Sequence, residues 1–247
     1  MSLRERLEAE VKKRNDPSEL LNGGADPLQV AKDLEDDRAI LLCALFGYGN
    51  ANAIVKFLKK LDFSLLNCDE AVLKEALAPF YYRFQSSEDL FQIFVTLRRL
   101  EEGELKERFV EAYQKSGQVI EGVFALIQRF EQVNHYESRG YRFLIGSLPK
   151  NGRPTSPYKR WMMFLRWMVR HDALDLGRWQ EVSPADLIIP LDTHTFHVSR
   201  QLGLLERKTY DWKAAVELTE RLKVFSPDDP VKYDFALYRI GQEKSVI

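Results

Sequence analysis

The sequence predicts an all-α fold, and three observations lead there. Apolar residues recur at three- and four-residue steps along nearly the whole chain. Helix-start signals stand ahead of several of those runs. Strict alternation over a strand length is missing, and the one β-like apolar run, Asp186–Pro190, reads better as a buried connection. With 247 residues the chain suffices for one large domain or two intimate lobes around a real core. About ten helices joined by short polar turns are expected.

Taken in order, Met1 to Arg14 is a charged amphipathic stretch with Leu3, Leu7 and Val11 on one face. It has no signal-peptide apolar region, so a cytoplasmic address is expected. Asp37 to Asn50 carries the apolar run Ile40–Phe46, with Cys43 inside it as a small buried hydrophobe. Ser86-Ser87-Glu88-Asp89 has the pattern of a capping box and opens a helix with Leu90, Phe91, Phe94, Leu97 and Leu100 at helical steps. Val119 to Val133 repeats the pattern through Val123, Leu126, Ile127 and Phe130. Leu148 to Pro157 holds three prolines and an Asn-Gly pair, which forbid continuous helix. A basic helix follows, beginning near Pro157, with Trp161, Met162, Leu165, Met168 and Val169 as its apolar face. Asp192 stands at the start of a helix whose apolar positions include Phe196, Val198 and Leu202. Asp211 caps a helix over Trp212–Phe225, with Pro227 as the stop.

Composition excludes several classes. No apolar run reaches the roughly 18 residues that span a bilayer. Two cysteines, Cys43 and Cys68, are too few for a disulfide framework, a four-cysteine iron–sulfur cluster or a zinc ribbon. His194 and His197 are one helical turn apart and can bind zinc, but a third strong ligand is missing, so no metal and no cofactor are expected. The net charge of −1 argues against a generic nucleic-acid binder, yet the charge is unevenly placed. Between Glu137 and Asp172 there is no acid, only Arg139, Arg142, Lys150, Arg153, Lys159, Arg160, Arg166 and Arg170, so the chain outside that window carries −9. A basic face on an acidic body holds a polyanion in one orientation.

Two residues carry the chemistry. Lys159 lies in the first turn of the basic helix, where the helix dipole and the adjacent Arg160 disfavour its ammonium form. A neutral lysine amine is a nucleophile able to form a Schiff base. Arg166 and Arg170 lie on its stripe, seven and eleven residues on. Asp192, as an N-cap or near-cap carboxylate, is held rigid and charged, which suits it to stabilise a cationic sugar or to take a proton.

The segment Pro190-Leu191-Asp192-Thr193-His194-Thr195-Phe196-His197-Val198-Ser199-Arg200 resembles the one bearing the catalytic aspartate in helix-hairpin-helix DNA glycosylases, the superfamily of endonuclease III and the 8-oxoguanine glycosylases. Lys159 stands where the bifunctional members carry their lysine, and its 33-residue interval to Asp192 resembles the archaeal 8-oxoguanine branch. Asp37–Asn50 resembles the early buried helix of those enzymes and Asp229–Gly241 the closing helix. The same segments also match an uncharacterised bacterial family placed in that superfamily. One departure stands out: the hairpin Leu-Pro-Gly-x-Gly is replaced by Leu148-Pro149-Lys150-Asn151-Gly152 and an insertion through Pro157.

The resemblance implies one glycosylase-like domain over residues 1–247, with the active site in the cleft between a lobe of about 37–147 and a lobe of about 1–36 plus 148–247. It implies a bifunctional base-excision glycosylase acting on a damaged base, an oxidised purine, flipped from double-stranded DNA. The implied enzyme is a monomer, cytoplasmic and associated with the bacterial nucleoid. Lys159 and Asp192 are the expected catalytic pair. Lys150, Asn151, Gly152, Arg153, Arg160, Arg166, Arg170 and His194 are expected to hold DNA. Tyr48, Asn50, Tyr81, Arg83, Phe84 and Trp161 are candidates for stacking on or replacing the base. The alternatives are a non-catalytic DNA- or RNA-binding protein on the same fold and, from the acidic body, a protein-interaction scaffold.

Overall fold

The computed structural model describes residues 2–22 and 24–243. Among these it holds fourteen α-helices, three short 3-10 helices and no strand, only the isolated bridges Tyr82–Gln85 and His171–Leu176. The all-α expectation holds, with more helices than the ten expected, because several are too short for an apolar repeat to show. None of the described helices is long and apolar enough to cross a membrane. The chain divides into two compact units, Met1–Ala25 with Asn151–Ile247, and Asp26–Lys150. The boundaries between these units fall at 25/26 and 150/151.

In the first unit, α1 (Leu3–Arg14) starts on a capping box between Ser2 and Glu5 and ends on Lys12, Lys13 and Arg14, opposite the helix dipole's negative end. It is followed by α2 (Pro17–Asn22).

The second unit begins with α3 (Leu28–Ala31), which packs on α4 (Asp37–Leu45). Every residue of α4 from Ala39 to Leu45 is buried, so this apolar run is a core helix. There follow α5 (Ala51–Leu58), a 3-10 turn (Phe63–Asn67), α6 (Glu70–Leu77) and α7 (Ser87–Arg98), the last started by the expected Ser86–Asp89 capping box. Next, α8 (Glu104–Ser116) and α9 (Val119–Val133) form a helical hairpin turning on Gly117, whose φ is 70°. Gly122 lets them approach: a Cβ there would stand 2.5 Å from the Phe109 ring. α10 (Arg139–Ile145), capped by Ser138, closes the unit.

Back in the first unit come α11 (Lys159–Val169), α12 (Thr193–Gln201), α13 (Trp212–Lys223) and α14 (Asp234–Glu243), with 3-10 turns at Pro184–Asp186 and Pro230–Tyr233. The core joins Leu7 of α1 to Phe196 and Val198 of α12, Leu218 and Leu222 of α13, and Leu237 and Ile240 of α14. The connection before α12 is buried as expected, with Leu187, Ile189 and Leu191 inward and the Ile189 N–H donating to Thr219 Oγ1 at 3.0 Å. Two expectations shift. α11 begins at Lys159, after Pro157, and all nine residues from Trp161 to Val169 are buried, so it has no basic outer stripe. α13 stops at Lys223, short of Phe225.

Candidate active site

Three helix starts of the first unit carry the candidate chemistry. Lys159 is the first residue of α11 and half-buried, and its Nζ lies 3.4 Å from Met163 Sδ one turn on. A thioether is polarisable but a weak acceptor, so this contact does little to hold an ammonium. The residue before it, Tyr158, has φ 46° and ψ 36°, a left-handed conformation rare for a bulky residue, and serves as N-cap without a side-chain cap bond.

Asp192 is the N-cap of α12, and its Oδ1 accepts the Thr195 N–H at 2.7 Å. That bond fixes the carboxylate at the helix's positive end. Nearby, the Tyr210 hydroxyl donates to the Leu191 carbonyl at 2.7 Å; burial, with the Asp192 charge added, pushes the phenol up to about 12. Tyr210 therefore stays a donor.

The third start was not among the expected residues. Asp234 opens α14 and is buried, and its Oδ2 accepts from Arg166 Nη1 at 2.6 Å. Burial pushes its carboxyl up to about 6; Arg166 pulls it down, Asp192 pushes it further up and Lys159 pulls it down. One buried acid thus feels the charges of both Lys159 and Asp192. The sequence offered little signal for it, since Asp228 and Asp229 stand close by and look equally acidic.

The two distal arginines are placed differently from expectation. Arg166 and Arg170 are only 5% and 7% exposed, and both are held by carboxylates. Arg166 Nε donates to Asp175 at 3.2 Å as well as serving Asp234. Arg170 donates to Asp175, to Asp229 through Nε at 2.9 Å and Nη2 at 3.1 Å, and pairs with Asp172 at 2.9 Å. Burial pushes Asp175 up against the pull of both guanidiniums. Neither arginine is a phosphate contact: each is locked inside the unit by charges of the opposite sign. Trp161, at 2% exposure, is core and not a base-stacking residue.

The remaining candidates lie outward. Asn151, Gly152 and Arg153 of the first unit and Lys150 of the second are exposed, and Arg160 is half-buried. Gly152 has φ 66° with nothing within 4 Å of a would-be Cβ, so it serves the turn. His194 is exposed, its ring edge-on to Tyr238 at 6.1 Å. In the second unit, Asn50 Oδ1 caps α5 by accepting the Ala53 N–H at 3.1 Å. Tyr81 and Phe84 are 75% and 47% exposed. Arg83 and Phe84 form the tip of a turn in which Tyr82 and Gln85 exchange backbone bonds at 3.2 and 2.9 Å. Arg83, at φ 56°, lays its guanidinium over the Tyr48 ring at 5.4 Å, and Arg139 covers Phe84 at 5.8 Å. Among the described residues no group of three or more His, Cys, Asp or Glu could hold a metal ion.

A family model described as Protein of unknown function (DUF2400) matches residues 26–243. The chain belongs to that family. The match overturns the membership expected from the Pro190–Arg200 segment: DUF2400 is the family found, and no helix-hairpin-helix glycosylase family is. The physical reason is that the motifs behind the resemblance are short helix-terminus devices. An aspartate accepting the N–H three residues on, or a lysine in a first turn, recurs wherever a helix needs starting. No curated protein and no solved structure matches the chain.

Proposed function

We propose that this protein is a DNA base-excision enzyme in which Lys159 is the nucleophile and Asp192 the carboxylate that serves it. The observation that carries the reading is a pair of helix starts in the first unit. Lys159 opens α11 with its amine against the weak acceptor Met163 Sδ, and Asp192 is fixed as the N-cap of α12 by the Thr195 N–H at 2.7 Å. In the proposed reaction the Lys159 amine attacks C1′ of the damaged nucleotide. The C1′–N bond breaks, and the base leaves with the bonding pair and takes up a proton. Asp192 accepts the proton shed by the amine and faces the positive charge that develops on the sugar. The nitrogen lone pair then expels O4′, which takes up a proton as the sugar ring opens, to give the iminium. A C2′ proton is lost to solvent base, the C3′–O bond breaks to release the 3′-phosphate, and water hydrolyses the iminium to return the amine.

The first unit offers Arg153, Arg160 and His194 to phosphates; taken by itself, the second offers Lys150 to phosphates and the Phe84 ring to unpaired bases. The substrate is double-stranded DNA with an oxidised purine, and the protein acts as a monomer. The test is borohydride trapping on duplexes carrying 8-oxoguanine or an abasic site. A covalent complex formed by the native protein and lost in Lys159→Ala supports the reading. Salt-sensitive DNA binding without trapping, unchanged in Lys159→Ala, supports a non-catalytic nucleic-acid binder instead.

A further inference from the structure

Tyr158 breaks two local rules at once. It occupies a left-handed backbone position, which glycine and asparagine tolerate and an aromatic residue resists. It also stands at the N-cap of α11, where Ser, Thr, Asp or Asn would accept a first-turn N–H, and it makes no such bond. An asparagine would satisfy both preferences. What the tyrosine has instead is its ring, which is buried and stands edge-on to Trp212 at 6.3 Å. Trp212 is itself tied to this loop, its backbone N–H donating to the Thr155 carbonyl at 3.0 Å. The ring is thereby anchored on the start of α13, and the chain between ring and helix is a single residue. Strain of this kind persists only where surrounding packing enforces it, and it gathers at functional positions.

We propose that Tyr158 is a positioning residue for Lys159: its ring, wedged on Trp212, forces the left-handed turn and so sets the direction in which the lysine leaves α11. Because Lys159 follows immediately, a change at Tyr158 rotates the first helical peptide and swings the amine away from Met163. This rests on Lys159 being the nucleophile only for its effect on catalysis, not for its effect on the amine's surroundings.

Two variants test it, Tyr158→Phe, which keeps the ring, and Tyr158→Asn, which keeps the backbone preference and the cap but removes the ring. Each is measured in three ways. Thermal melting reports stability. Borohydride trapping on abasic DNA gives a maximal rate and a half-saturating DNA concentration. Competitive acetylation with acetic anhydride, read by peptide mass spectrometry, compares Lys159 with the exposed Lys60.

Tyr158→Phe is expected to match the native protein in all three. Tyr158→Asn is expected to melt no lower, to lose at least about tenfold in maximal trapping rate with half-saturation within about threefold, and to acetylate Lys159 at least about threefold faster. Native-like trapping and acetylation in Tyr158→Asn would overturn the proposal. So would a large drop in melting temperature that Tyr158→Phe does not share, which would make the ring a packing element. If the native protein does not trap at all, the nucleophile reading falls, and the acetylation contrast alone decides the positioning claim.

Discussion

Replacing Asp234 by Asn removes a buried acid that feels both candidate catalytic charges while keeping the side chain's shape. The carboxyl is held at about 6 against an ordinary 3.8, chiefly by burial. At about 1.4 kcal/mol per tenfold in proton affinity, that is worth up to about 3 kcal/mol. Its sign follows from the native state holding the proton more tightly than the unfolded chain. The contribution is fully present below about pH 4 and is lost as the pH rises through about 6. Asparagine titrates nowhere in this range. The stability of Asp234→Asn relative to the native protein should therefore climb between about pH 4 and pH 7, approaching about 3 kcal/mol. The assay is urea unfolding followed by tryptophan fluorescence at a series of pH values. All four tryptophans, Trp161, Trp167, Trp179 and Trp212, lie in the first unit, so the signal reports on the unit that contains Asp234. A difference that stays flat with pH, or falls as pH rises, would refute the placement of Asp234 as a desolvated acid poorly offset by Arg166.

Three further outcomes follow from the same geometry. Arg170→Ala should destabilise the first unit by about 3 kcal/mol in urea unfolding, since it leaves the buried Asp175 with Arg166 alone and takes the guanidinium from Asp172 and Asp229. Lys150→Ala and Arg153→Ala, both at exposed positions, should each lower the slope of log affinity for duplex DNA against log salt by about 1, with melting unchanged. Gly122→Ala should cost about 1–3 kcal/mol in urea unfolding of the second unit, followed by circular dichroism, because the new methyl meets the Phe109 ring.

The legible parts of this fold are those set by local chemistry. Ser86, Asp192 and Asp211 each accept the N–H three residues on, as their place before an apolar run implied. The buried connection through Ile189 could be read from its unbroken apolar character. What could not be read was which charges are compensated inside the protein. Arg166 and Arg170 look like an exposed basic stripe because two of their partners, Asp234 and Asp229, lie some sixty residues away in the sequence. The nearer Asp172 and Asp175 follow the helix in a loop whose return path the sequence does not show. Only tertiary packing brings those acids to α11, and it turns a phosphate-binding reading into a buried ion-pair cluster. Asp234 was hidden for the same reason. Tyr158 was hidden because a left-handed tyrosine contradicts local propensity, and its ring meets Trp212 from fifty-odd residues further along the chain. The superfamily resemblance failed differently: it rested on helix-start residues that folds of many kinds share.

The most direct measurement is the site of the covalent bond. The protein is mixed with duplex DNA containing a single abasic site, reduced with borohydride and digested, and the modified peptide is sequenced by mass spectrometry. The proposed function predicts the sugar-derived adduct on Lys159, with Asp192→Asn forming it more slowly on the same residue. An adduct on another amine, or none under conditions where the DNA is bound, would contradict Lys159 as the nucleophile.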